Sequence, residues 1–153
     1  MNITIRNAVR SDLDFIIRAN ALVNDASNLK HADDALKERL SRDFFPKNKT
    51  HSNAGILIAD ADGVTAGMAI YSACYFMKEG DSMWLSNIYV DEKYRKSGIA
   101  TKMIEQLKNI AKENNYDSIC FLEDVNNQNA REFAIKNTAK EVENLRLFFI
   151  KVK

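Results

Sequence analysis

One turn of the sequence combines basic residues with a single glycine and leads into a strongly amphipathic helix pattern. It contains Arg95, Lys96, Ser97 and Gly98, and apolar residues at helical spacing start directly after it. The first turn of a helix presents backbone N–H groups without partners inside the helix, at the positive end of the helix dipole. A glycine there allows a phosphate to approach the backbone closely. These residue types at this spacing predict a phosphate or pyrophosphate site.

The turn does not match two well-known phosphate-binding loops. A Walker A loop needs Gly-x-x-x-x-Gly-Lys-Ser/Thr, and here the first glycine and the lysine that follows the second are missing. A dinucleotide-binding loop needs three glycines after the first strand of a strand–helix–strand unit, whereas here one glycine follows the fourth predicted strand. An ordinary strand-to-helix turn with solvated lysines is the alternative interpretation that local physics leaves open.

The elements around the turn must position it. Residues 83–90 are a predicted strand rich in large apolar side chains, and a helix follows from Gly98. The apolar residues of that helix recur at helical spacing: Ile99, Met103, Ile104, Leu107, Ile110 and Ala111. Residues 119–122 are a short apolar strand that we expect to be buried on both faces, and residues 126–137 are a last helix. The strand–helix–strand order predicts a crossover between two neighbouring strands of one sheet. We expect these two strands, residues 83–90 and 119–122, to separate from each other.

The N-terminal part supplies a strand and two helices. Residues 2–9 alternate apolar and polar side chains, as a half-buried strand does. Ser11, with Asp14 three positions later, predicts a capping-box start of the first helix. A second helix is predicted to begin at Asp33.

The middle and the end of the chain supply further strands. Asp62-Gly63 is a strong hairpin signal between predicted strands at residues 54–59 and 64–76. Residues 145–152 are a predicted final strand. The order β-α-α-β-β-β-α-β-α-β predicts an α/β fold with a mixed sheet, antiparallel hairpins first and the crossover later.

Length, composition and charge are those of an ordinary globular protein. The 153 residues fit one domain, residues 1–153, and 46% of them are hydrophobic. Lys and Arg number 22 against 21 Asp and Glu, for a net charge of +1, whereas proteins that bind nucleic acid or membrane surfaces usually carry a basic excess. No apolar run approaches a membrane span, and no signal-peptide pattern stands at the start. We therefore expect a cytoplasmic protein without nucleic-acid or membrane partners.

Cysteine and histidine give little support for other chemistry. Cys74 and Cys120 lie far apart in apolar, strand-like stretches, which favours small buried thiols in a reducing compartment. A nucleophilic Cys120 is the alternative, and no histidine stands close to it in sequence. His31 and His51 are too far apart to suggest a metal site without further ligands, and we expect no metal.

The turn and the strand before it resemble a known family. Arg95-x-x-Gly98-x-Ala100, after Ile88-Tyr89-Val90, is similar to the Arg/Gln-x-x-Gly-x-Gly/Ala signature of the GNAT family of N-acetyltransferases. The predicted strand before the signature, the helix after it, and then a strand and an Asn-led helix are also typical of that family.

Within the family, the sequence resembles the diamine and polyamine acetyltransferase branch most. Four segments follow that branch in order, residues 67–71, 85–90, 94–95 and 145–148. The resemblance implies an acetyltransferase that moves the acetyl group of acetyl-CoA to a primary amine of a small molecule, such as a diamine, an amino acid or an aminoglycoside. A peptide N-terminus is the alternative acceptor. Because the branch is commonly dimeric and the final strand is apolar, we also expect a homodimer.

The resemblance also implies which residues bind acetyl-CoA. Main-chain groups of Ile88, Tyr89 and Val90 would pair with the pantetheine arm, and a freed N–H on that strand would polarise the thioester carbonyl. Asn126 matches an asparagine that helps to hold the cofactor, although a plain helix N-cap is the alternative. The turn would wrap the pyrophosphate with Arg95, Lys96, Ser97, Gly98, Ile99, Ala100 and Thr101.

The residues that would move protons depart from the family pattern. Ser86 and Asn87 stand where the branch has a carboxylate, and Phe133 stands where a tyrosine usually serves as the acid. An alkyl ammonium has a pKa of about 10, so a base or a water relay assists the reaction at neutral pH. The sequence therefore assigns no catalytic residue.

Three interpretations of this departure stay open. The acid and the base could come from elsewhere, and the candidates are Tyr71, Tyr75, Asp81, Tyr89 and Glu123. The enzyme could instead rely on positioning and the oxyanion contact, with slow turnover. The chain could also have lost catalysis and be an acyl-CoA-binding module.

Overall fold

The computed structural model describes residues 1–23, 33–46, 54–76, 80–142 and 150. The predicted final strand falls almost entirely outside these residues, and so do both histidines. The described chain forms two compact units, residues 1–122 and residues 123–153, and each is treated by itself.

The described residues of the first unit form a mixed sheet of five strands in sequential order. The first four strands pair antiparallel, and the fifth runs parallel to the fourth. This confirms the predicted fold class. The strands are β1 (Ile3–Asn7), β2 (Ala54–Ala61), β3 (Val64–Phe76), β4 (Gly80–Val90) and β5 (Ser118–Cys120).

The turn between β2 and β3 is the predicted hairpin. Asp62 and Gly63 have φ angles of 49° and 81°, so both central residues lie in the left-handed region. A two-residue turn of this kind matches the twist of the flanking strands, which explains why Asp-Gly is a reliable hairpin signal.

Among the described residues, four helices and two short 3-10 segments complete the two units. They are the 3-10 segments Arg10–Asp12 and Glu92–Tyr94, with α1 (Leu13–Val23), α2 (Asp33–Phe44), α3 (Ile99–Glu113) and α4 (Gln128–Lys136). The first three helices lie in the first unit, and α4 lies in the second. No helix among the described residues has both the length and the apolar character that crossing a membrane requires.

The sheet has an apolar core on each face. On one face α1 and α2 bury a cluster with the strands: Leu13, Ile16, Ile17, Ala19, Leu40, Ile56, Ile58, Met68 and Ile70. Side chains of neighbouring strand residues point to opposite faces, so Gly67 and Ala69 face the other side. There α3 packs with Ile99, Met103 and Leu107, which are at most 1% exposed.

The first helix does not begin as predicted. Residues 10–12 form a 3-10 turn whose N-cap is Val9, and the Asp12 carboxylate accepts the backbone N–H of Val9 at 2.8 Å. Asp12 is buried and also accepts two hydrogen bonds from the Arg6 guanidinium. The predicted capping box of Ser11 and Asp14 is therefore wrong, because a contact with β1 decides where the turn forms.

Gly67 allows α3 to lie close to β3 and β4. A Cβ atom on Gly67 would stand 2.8 Å from the carbonyl oxygen of Tyr89 and 3.3 Å from Cε of Met103. We predict that Gly67→Ala lowers the free energy of unfolding by about 1–3 kcal/mol, because the tightest contact is backbone and cannot rotate away. Urea unfolding measures this change. Equal stability of the two proteins would show that the strands have room to separate.

Candidate acetyl-CoA site

The two parallel strands pair over a short stretch only. Ser82, Met83 and Trp84 of β4 lie opposite Ser118, Ile119 and Cys120 of β5. Beyond Trp84, β4 continues to Val90, while the described chain after Cys120 leaves the sheet. The strands are parallel and part as expected, although β5 ends before the predicted residue 122. From residue 85 to residue 90, the edge of β4 that faces away from β3 therefore has no described strand beside it.

A β-bulge lies where the opening begins. Leu85 is opposite Tyr71 and Asn87 is opposite Ile70, so Ser86 has no partner in the register. A bulge bends its strand and increases the local twist. The bend accounts for the short pairing with β5. Ile88, Tyr89 and Val90, the predicted pantetheine contacts, follow it along the open edge.

The turn after β4 is held by its own hydrogen bonds. The Arg95 Nε atom donates to the carbonyl oxygen of Val90 at 3.2 Å, and the Ser97 hydroxyl donates to the carbonyl oxygen of Tyr94. Lys96 has a φ of 59°, which is uncommon for a residue with a side chain. Arg95 and Ser97 thus fix the shape of the turn, a role that the sequence interpretation did not assign to them.

Gly98 is the N-cap of α3 and adopts a φ of 87°. The first bond of the helix runs from the Lys102 N–H to the Gly98 carbonyl at 3.0 Å, so the N–H groups of Ile99, Ala100 and Thr101 precede the helical ladder. A Cβ atom built on Gly98 meets nothing within 4 Å. Open space before a helix N-terminus fits a phosphate group.

The backbone of this first helical turn is firmly anchored. Ile99 is 1% exposed and Met103 is fully buried, so one side of the turn is fixed in the core. Ala100 and Thr101 are half-buried, while Gly98 is exposed. A preformed arrangement of donors binds an anion without an ordering cost.

Three basic side chains surround the turn. Arg95 and Lys96 are exposed, and the Lys93 ammonium lies 4.9 Å from the centre of the Tyr94 ring. These charges attract an anionic ligand, and they do so more strongly at low ionic strength. The assignment of the turn to pyrophosphate binding stays a prediction, which the geometry makes chemically reasonable.

Asn126 lies in the second unit, in the turn before α4. Its backbone N–H and its Nδ2 atom donate to Asp124 Oδ1 at 2.9 and 3.1 Å. The N-cap of α4 is Asn127, whose side chain accepts the Ala130 N–H at 3.1 Å. The helix therefore begins after residue 126, and the N-cap role considered for Asn126 belongs to its neighbour. A role of Asn126 toward the cofactor stays a prediction.

Of the residues considered as acid or base, Tyr71 faces away from the open edge. Its hydroxyl lies over Gly55 of β2, where an added Cβ atom would be 2.3 Å away. Burial, with a smaller effect of Tyr116, raises the pKa of the Tyr71 hydroxyl above its ordinary value. Tyr71 is therefore protonated at neutral pH and cannot serve there as a base.

The other candidates are distributed over the chain. Asp81 is exposed and lies five residues before Ser86, about 16 Å along an extended strand. Tyr89 packs against Phe15 of α1, with 6.4 Å between the ring centres. Loss of solvent around the Glu123 carboxyl raises its pKa, and Glu123 belongs to the second unit. The side chain of Tyr75 is outside the described part of the chain.

One polar contact near the bulge was not predicted. The Asn87 Nδ2 atom donates to Asn20 Oδ1 at 2.7 Å and joins β4 to α1 in a partly buried position. Sequence periodicity places Asn20 on the inner side of α1 with Ile16, but it does not indicate a partner on a strand 67 residues away. No group of three or more potential metal ligands occurs among the described residues.

Comparisons with known proteins agree with this geometry. The sequence model of the acetyltransferase (GNAT) family matches residues 22–136. A thialysine N-ε-acetyltransferase of Mus musculus is 30% identical over 112 residues, which are 70% of this chain and 66% of that protein. The match thus spans just under two thirds of the relative. It is an enzyme of the diamine and polyamine branch that the sequence resembles.

Two solved structures share the fold at low identity. The aminoglycoside N-acetyltransferase AAC(6')-Iy, in complex with CoA, superposes with a TM-score of 0.80 and 18% identity over 99% of this chain and 96% of that one. A ribosomal-protein-alanine N-acetyltransferase from Brucella melitensis biovar Abortus 2308 gives a TM-score of 0.71 and 22% identity over 99% of each chain. The chain belongs to the acetyltransferase (GNAT) family, whose members use acetyl-CoA as the acetyl donor.

Proposed function

We propose that the protein is an acetyl-CoA-dependent N-acetyltransferase that acetylates a primary amine of a small molecule. The observation that carries the proposal is the open edge of β4, which leads into a turn with left-handed Gly98 at the N-terminus of α3. A pantetheine arm can pair with that edge as a strand would, and the pyrophosphate can then reach the N–H groups of the turn.

The same edge supplies an electrophilic contact. Thioester attack places negative charge on the carbonyl oxygen, and a fixed backbone N–H near that oxygen lowers the barrier. A strand that has lost its neighbour has such groups available without unfolding. Residues 86–90, from the bulge onward, are therefore the proposed location of the oxyanion contact.

A thiol-release assay tests the proposal. Purified protein is mixed with acetyl-CoA and a panel of amines that contains a diamine, an amino acid amide, a thialysine and an aminoglycoside. Amine-dependent release of CoA, with a product heavier by one acetyl group in mass spectrometry, is the expected result. CoA release that does not depend on the amine would contradict it.

A catalytically weak or inactive acyl-CoA-binding module is the second candidate. It is favoured by one observation, namely that Ser86, Asn87 and Phe133 are all unable to exchange a proton near neutral pH. Such a module would bind CoA with the same turn and give no acetylated product from any amine in the panel.

Phe133 provides a test of the missing acid. Phe133 is half-buried in α4, at the position where the family resemblance implies a tyrosine. General acid catalysis accelerates a reaction about 10²–10⁴-fold. A tyrosine hydroxyl introduced at Phe133, without the usual neighbouring residues, should restore part of that acceleration. We predict that Phe133→Tyr raises kcat about tenfold on an accepted amine and leaves CoA affinity unchanged. A slower Phe133→Tyr enzyme would show that the leaving thiolate is protonated by another route.

The assembly and the location are proposed as well. We propose a cytoplasmic homodimer in which residues 1–153 act as one domain, in line with the branch that the sequence resembles. Light scattering at micromolar concentration is expected to give twice the mass of the chain, and a monomer would contradict the dimer.

A further inference from the structure

We propose that Asn87, held in place by Asn20, binds the acceptor amine. The enzyme therefore prefers weakly basic primary amines, such as the α-amino group of an amino acid. This inference rests on the proposed function. It concerns the identity of the acceptor, which the family and the fold leave open.

The position of Asn87 supports this role. It is the first residue after the bulge at Ser86 and lies opposite Ile70, whose side chain belongs to the core beneath α1. Its own side chain is therefore on the α1 face of β4, at the start of the open edge. The bond to Asn20 uses the amide nitrogen of Asn87, so the amide oxygen is not engaged in that bond and can accept an N–H from an amine.

The chemistry of an amide then restricts the acceptor. An amide oxygen accepts a hydrogen bond but does not take up a proton at neutral pH, and neither does the Ser86 hydroxyl. Because only a neutral amine attacks a thioester, the amine has to arrive deprotonated. At pH 7.5 about a third of an α-amino group is neutral, against about 0.1% of a lysine-type amine. That difference alone favours the α-amino group about three hundredfold.

The described charged groups of α1, β3 and β4 are engaged elsewhere or lie away from Asn87. The titratable or charged side chains described on α1, β3 and β4 are Asp14, Arg18, Tyr71, Cys74, Asp81 and Tyr89. Asp14 pairs with Lys37 at 2.9 Å, Arg18 lies 5.6 Å from the centre of the Phe15 ring, and Tyr71 lies on the opposite face of the sheet. Tyr89 packs against Phe15. Asp81 lies six residues before Asn87 on β4, and Cys74 lies four residues after its partner Ile70 on β3. Within the described part of the chain, the Asn87 side chain forms its hydrogen bond with Asn20.

The pH dependence of the unaltered protein is the first test. We expect kcat/KM for glycinamide to exceed that for Nα-acetyllysine amide about twenty- to two-hundredfold at pH 7.5, because the more basic amine is intrinsically the better nucleophile and offsets part of the difference. At pH 10 the preference shrinks to about fourfold or less. Each profile should rise with the pKa of its own substrate. One shared inflection for both substrates would reveal an enzyme base and overturn the inference.

Substitutions at Asn87 are the second test. Asn87→Asp supplies a carboxylate and should raise kcat/KM for Nα-acetyllysine amide at pH 7.5 about ten- to hundredfold, while glycinamide gains much less. Asn87→Leu should raise KM for glycinamide at least about tenfold, by loss of the amine contact. Asn20→Leu, which acts through Asn87, should raise KM less. Asn109→Asp is the control, because it places the same charge on the exposed side of α3. It should leave kcat/KM unchanged for both substrates.

Thermal stabilisation by CoA, measured on every variant, separates the possible failures. An unchanged KM in a folded Asn87→Leu protein would overturn the amine contact. Acetylation with a substrate-independent pH profile would overturn this inference and leave the proposed function intact. CoA binding without transfer to any amine would overturn both. If Asn87→Leu does not fold, the pH profiles of the unaltered protein decide the question.

Discussion

Gly98→Glu is expected to abolish the stabilisation that CoA gives the protein against heat. A ligand at a hundredfold excess over its dissociation constant stabilises the folded state by about 2.7 kcal/mol, and that increment disappears in the variant. The reason is local, since the space beside the Gly98 Cα atom is open and is where the phosphate would lie. A glutamate there fills the space and adds a repelling charge. Differential scanning fluorimetry with and without CoA measures the loss.

Gly63→Glu is the matched control. Gly63 has a φ of 81° and Gly98 a φ of 87°, and an added Cβ atom meets nothing within 4 Å at either site. Both substitutions therefore impose similar backbone strain and add the same charge. Gly63→Glu should lower the melting temperature like Gly98→Glu but keep the full response to CoA. Lys96→Ala should weaken CoA binding only partly, because the backbone donors remain. Undiminished CoA binding by Gly98→Glu would overturn the pyrophosphate assignment.

The turn and its helix could be predicted because their determinants are local. Glycine at the N-cap, basic residues before it and apolar residues at helical spacing all lie within about four helical turns of one another. Asp62 and Gly63 were predictable for the same reason, since two adjacent residues decide the type of turn. Parallel pairing of β4 with β5 followed from the crossover helix between them.

The rest depends on contacts between distant residues. Ser86 does not differ from other serines in a strand, and its bulge is visible only in the register with β3. The start of α1 depends on Arg6 of β1, and the contact of Asn87 depends on Asn20. Propensity and periodicity carry no information about such pairs. A serine three residues before an aspartate therefore suggested a capping box that the ion pair overrides.

That ion pair is expected to contribute more to stability than any other described salt bridge. Arg6 donates to both carboxylate oxygens of Asp12, at 2.7 and 2.9 Å, and its Nε donates to Asp60 at 2.7 Å. Asp12 is buried, whereas the Arg6 side chain is 34% exposed. Breaking a fully buried pair costs about 3–5 kcal/mol. Because water partly screens Arg6, we predict a loss of about 2–3 kcal/mol for Asp12→Asn at pH 7.

The pH dependence of that loss identifies its cause. The Arg6 guanidinium, through its hydrogen bonds, holds the pKa of the Asp12 carboxyl below its ordinary value. The contribution is therefore complete above the unfolded pKa of about 3.9 and is lost as the pH falls through the lower folded pKa. Urea unfolding should show parent and Asp12→Asn differing fully at pH 7 and converging below about pH 4. Asp14→Asn removes the exposed ion pair with Lys37 and should change stability little at any pH. A loss for Asp12→Asn that persists undiminished at pH 3 would show that packing, and not the charge on Asp12, holds the start of α1 against β1.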